Sequence, residues 1–145
     1  MTRFLIFFFI CNFLILSISF AKNSYYEKAL KFFNEKNFYE AKFYFEKNIV
    51  FNPKDELSYF YLSKIASINR DKFQEKLYLD SVLVLNPKNE NALYRKIIIN
   101  IDEGDFAKAK ERNLIFVKVC KELCYKKEEI SKALPAQKND KAKSF

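Results

Sequence analysis

Apolar residues along this chain recur at helical intervals. Tyr25, Ala29, Phe32 and Phe33 are followed by Ala41, Tyr44, Phe45 and Ile49, and no stretch alternates with a period of two. Polar breaks interrupt the pattern at regular places. Phe51-Asn52-Pro53-Lys54 and Leu85-Asn86-Pro87-Lys88 stand 34 residues apart and share Asn-Pro-Lys. The residue before a proline is pushed out of helical geometry, so each site ends one helix and lets another start. Between them, Asn34-Glu35-Lys36-Asn37-Phe38 returns as Asn69-Arg70-Asp71-Lys72-Phe73 and, altered, as Asp102-Glu103-Gly104-Asp105-Phe106. These marks predict helices over 24–35, 38–51, 55–68, 72–85, 89–102 and from 105 onward. The predicted class is all-α.

The period and its punctuation resemble the tetratricopeptide repeat, over about residues 22–121. That family places a small residue in its first helix, as Ala29 and Ser63 do here, although Ile97 departs from the pattern. It also turns at Gly-Asp-Tyr with an alanine three residues later. Gly104-Asp105-Phe106 with Ala109 matches well and Phe38 with Ala41 in part, whereas Phe73 leads to Lys76. The closing proline is present twice, and Lys121 takes its place in the third unit. The resemblance implies a right-handed helical-repeat solenoid of antiparallel helix pairs, with repeats near 22–55, 56–89 and 90–121. One helix pair cannot bury its own apolar face, so such units fold only by stacking.

From Asp105 to Leu134 the chain has neither Gly nor Pro. The reading is a long C-terminal helix that overhangs the last repeat, the alternative being a bend near Lys121 that folds back as a cap. On the long helix, Phe116, Cys120, Leu123, Cys124 and Ile130 form a candidate assembly stripe, which would support homo-oligomerisation. Residues 135–145 are polar and lysine-rich and read as a disordered basic tail.

The first 21 residues change the picture of the whole. Arg3 precedes an almost wholly apolar run from Phe4, and Ser19-Phe20-Ala21 ends it with a small-x-small exit. This pattern is that of a secretory signal cleaved after Ala21. The 17 residues from Phe4 to Phe20 are at the lower limit for an uncleaved membrane anchor, the other reading. Either implies export, to the periplasm or beyond. The formal charge of +8 comes from 26 basic and 18 acidic residues, which are interspersed, so the charge marks solvated helix faces rather than a nucleic-acid surface.

Candidate chemistry is sparse. There is no histidine, and Gly104 is the lone glycine, which excludes the commonest base and metal ligand and a phosphate-cradling loop. Cys120 and Cys124 read as apolar packing. A disulfide is the alternative, awkward because i and i+4 in a regular helix hold their Cβ atoms too far apart. No enzyme, cofactor or metal is expected. Tyr26, Phe60 and Tyr94 recur at 34, and the resemblance places that phase on a concave groove. With Leu30, Phe33, Lys64 and Ile98 they form a candidate groove for a peptide or helix of another protein, or else they pack between repeats.

Overall fold

A computed structural model describes residues 25–135, and no strand occurs among them. Helix α1 is described over 25–34, followed by α2 (Phe38–Phe51), α3 (Glu56–Ile68), α4 (Lys72–Leu85), α5 (Glu90–Asp102) and α6 (Phe106–Val119). A 3₁₀ turn (Cys124–Lys126) leads into the short α7 (Lys127–Ala133). The expected signal segment and basic tail lie outside the described residues. No described helix is long and apolar enough to cross a membrane.

The helix boundaries have a repeating physical cause. Lys36, Arg70 and Gly104 share a left-handed backbone, with φ of 60°, 59° and 75°. In each case the next amide donates back across six residues: Asn37 to the Phe32 carbonyl, Asp71 to Ala66 and Asp105 to Asn100. This reversal satisfies carbonyls that a helix end leaves open. That next residue then caps the following helix, as the side chains of Asn37, Asp71 and Asp105 accept the amides of Glu40, Gln74 and Lys108. Reversal and cap thus return together every 34 residues.

This register corrects the second turn. Lys72, not Phe73, stands where Phe38 and Phe106 do, and Glu75, not Lys76, stands where Ala41 and Ala109 do. Glu75 is buried there, as both alanines are.

Two compact units result, one ending at Leu85 and the other starting at Asn86. The first is built on Ala29, Ala41, Phe45, Leu62 and Ile65. Phe45 is its centre: its ring stacks on Tyr61 at 5.1 Å and meets the edge of Tyr26 at 5.9 Å. At the proline joint between α2 and α3, the buried Asn48 amide donates to Asp55 (2.6 Å) and Ser58 (2.9 Å), and Ser58 donates to Asp55 (2.6 Å). The network ties the two helices across the turn and leaves few of these buried polar groups unpaired.

The second unit buries Ala92, Leu93, Ile97, Ala109, Phe116 and Ile130. Here the expected long C-terminal helix is corrected in favour of its alternative, a bend near Lys121 that folds back. Helix α6 stops at Val119, the chain bends through residues 120–123, and α7 packs back against α5. Three interactions stabilise the bend despite the absence of Gly and Pro. The Glu90 carboxylate accepts the backbone amides of Lys121 (2.7 Å), Glu122 (3.1 Å) and Leu123 (3.2 Å). Cys120 and Cys124 form a disulfide, with Cα atoms 5.2 Å apart. Ile130 is fully buried. The packing role expected for the cysteines is therefore also corrected: outside a regular helix their side chains reach each other.

Candidate functional site

The seven groove residues fall in both units, five in the first. Tyr26 is half-buried, its ring edge-on to Phe45 and Tyr61. Burial raises its phenol pKa, with the nearby Tyr61 and Asp55 adding to the effect. Phe33 packs edge-on against Phe38 and Tyr61. Both are packing rings. Leu30 and Phe60 are half-buried, and Lys64 is exposed with its ammonium 4.6 Å from the Phe60 ring centre and 5.2 Å from that of Tyr61. This cation over two rings is a preformed polar and apolar contact element on α3.

In the second unit Ile98 is half-buried, and Tyr94 is engaged by the chain itself. Its hydroxyl donates to Glu129 of α7 at 2.7 Å, and the Lys126 ammonium lies 5.4 Å from its ring. The same ammonium pairs with Glu129 at 2.6 Å. Charge settles on this triad in the expected directions. Lys126 holds the Glu129 carboxyl below the usual range, the Tyr94 hydrogen bond adding to it, and Lys126 is raised in return. Tyr94 is to Glu129 as Tyr26 is to Tyr61, 35 residues on in each case. The residues of α7 thus fill, in the second unit, the place that α3 fills in the first.

No family model and no curated protein matches this chain.

The assembly stripe is divided by the fold-back. Phe116 and Ile130 are fully buried, Cys120 and Cys124 are bonded to each other, and the Leu123 amide is held by Glu90. Among the described residues no overhanging stripe remains. What the sequence reading missed lies on the second helices. Tyr39, Phe43 and Val50 of α2 and Phe73, Leu77 and Val84 of α4 each expose half or more of their surface, up to 83 % for Tyr39. The missed signal was their spacing, since each residue of the second trio follows its counterpart by 34.

Glu90 makes the C-terminal bend sensitive to acid. Desolvation pushes its carboxyl pKa up, but the three amide donors outweigh it and the net shift is downward. A lowered carboxyl stabilises the folded state above its unfolded pKa of about 4.3, and the contribution is lost as pH falls through the folded value. Glu129 has the same sign. Acidification below about pH 4 is therefore expected to loosen α7 before α5 and α6. The Ile130 methyl signals in an NMR titration report it, and Glu90→Gln is expected to show the looser state already at neutral pH.

Proposed function

We propose that this chain is an exported, non-enzymatic module of tetratricopeptide-like repeats that holds a segment of another polypeptide against its first helices. The observation that carries the repeat reading is the threefold return of one complete turn, with a left-handed residue, a six-residue reversal and a capping side chain at the same period. Helix pairs so joined stack as a right-handed solenoid, and α7 serves as the incomplete next helix that caps it. The partner is a peptide or helix, engaged in the periplasm or outside the cell. Neither nucleic acid nor a cofactor enters this reading.

Leu30, Phe60 and Lys64 form the accessible part of the contact surface, since Tyr26 and Tyr94 are committed to packing. Residues that already support the fold make poor probes of binding. The test is capture from envelope extract by the domain and by its Phe60→Ala/Lys64→Ala variant, with helicity compared by circular dichroism. Removing a ring and the cation that lies over it is expected to weaken binding at least tenfold, about 1.4 kcal/mol. Equal capture by both proteins would show that this face does not hold the partner. Self-assembly through the C-terminal stripe has no comparable support, because the fold-back covers the residues it would use.

A further inference from the structure

The outer face of the first unit presents an apolar pattern that the peptide-binding reading does not use. On α2, Tyr39, Phe43 and Val50 fall within about 40° of helical arc, and Phe73, Leu77 and Val84 repeat that arc on α4. All six are exposed. The pattern stops with the first unit, because the corresponding positions of α6 are Ala107, Glu111 and Lys118. Exposed aromatic and branched residues matched over two helices differ from the scattered apolar residues of an ordinary surface.

We propose that this face of α2 and α4 lies on a lipid bilayer. The position of the remaining chain favours that occupant. The apolar run from Phe4 to Phe20 precedes this unit, with only residues 21–24 between it and the first described helix. Four extended residues span at most about 14 Å. A chain that keeps its N-terminal run in a membrane, the uncleaved reading on which this proposal rests, therefore holds this unit close to the bilayer surface. Charge agrees at the ends where Tyr39 and Phe73 stand, since Lys36, Arg70 and Lys72 are exposed there and suit anionic headgroups. Of the neighbouring acids, Asp71 caps α4 and Glu35 lies 3.9 Å from Lys31. Glu46 and the exposed Asp80 share the apolar arc. The Glu46 carboxylate accepts from the Tyr78 hydroxyl and lies 3.6 Å from Lys42. These carboxylates limit the contact to the boundary between headgroups and upper acyl chains, where Tyr and Phe rings are at home. A bilayer also accepts protruding side chains without the matched contour a protein partner must supply.

The chain has no tryptophan, so Phe73→Trp in the full chain supplies a unique fluorophore at an exposed site. Lys64→Trp, on α3, is the comparison. Both variants are reconstituted in vesicles of phosphatidylethanolamine and phosphatidylglycerol with brominated acyl chains, and vesicle flotation confirms binding. The Phe73→Trp emission is expected to shift to shorter wavelength and to lose intensity to bromine, while that of Lys64→Trp does neither. Emission from Phe73→Trp unchanged by vesicles, or a chain that does not float, overturns the proposal. A shift without bromine quenching that grows with protein concentration also overturns it and assigns the face to a second copy.

Discussion

Replacing Phe45 by alanine is expected to lower the stability of the first unit by about 3–5 kcal/mol. Phe45 is fully buried and supports rings from two other helices, Tyr26 of α1 and Tyr61 of α3. Its removal forfeits the transfer energy of a benzyl group and leaves a cavity that three rigid helices close only in part. A domain holds only about 5–15 kcal/mol in total. The urea midpoint should therefore fall sharply, with the slope preserved. Tyr39→Ala removes a ring of similar size at a position 83 % exposed and is expected to change stability by less than about 0.5 kcal/mol. Equal costs at the two sites would show that Phe45 is not the centre of a core.

Ile130→Asp is expected to undock α7 completely. The site is fully buried, and an unpaired carboxylate there costs several kcal/mol, more than a seven-residue helix can recover by local rearrangement. The loss is bounded, because the segment can leave α5 without unfolding it. Amide-exchange protection over residues 127–133 should collapse while α5 and α6 keep theirs. Undocking also frees the Tyr94 hydroxyl from Glu129. Burial is the first cause of the raised Tyr94 pKa, with the Glu129 hydrogen bond second, so its ionisation should move back toward the ordinary tyrosine range near 10. Unchanged protection in 127–133 would contradict the fold-back.

Much of this fold is legible in the chain because its punctuation is local. Asn-Pro-Lys stops a helix through backbone sterics, and Asn37, Asp71 and Asp105 start the next through a side chain three residues from its target. Where Gly104 makes the left-handed turn, the residue type announces it. Lys36 and Arg70 adopt the same backbone without that marker, and aligning the second turn on Phe73 instead of Arg70 cost one residue of register.

The choice between a long C-terminal helix and a bend near Lys121 was not legible, for a different reason. The bend's stop signal is a carboxylate some 30 residues upstream, Glu90, together with a disulfide that becomes favourable only once the helix has ended. A contact of that range leaves no local pattern. The candidate site divides along the same line. The recurrence of Tyr26, Phe60 and Tyr94 was plain, but whether a ring faces a groove or a neighbouring helix depends on packing partners such as Phe45 and Glu129. The outer stripe of α2 and α4 returns at the same period, on the second helices, where exposure and not spacing sets it apart from core.

The α3 face carrying Phe60 and Lys64 is proposed to hold another polypeptide. Photo-crosslinking in the native cells tests it most directly, with a photoreactive phenylalanine at position 60 and, for comparison, at the exposed position 106. A discrete polypeptide adduct is expected from position 60, missing from position 106 and lost when Lys64→Ala is added. No polypeptide adduct from position 60, in a protein that keeps its helicity, would contradict it.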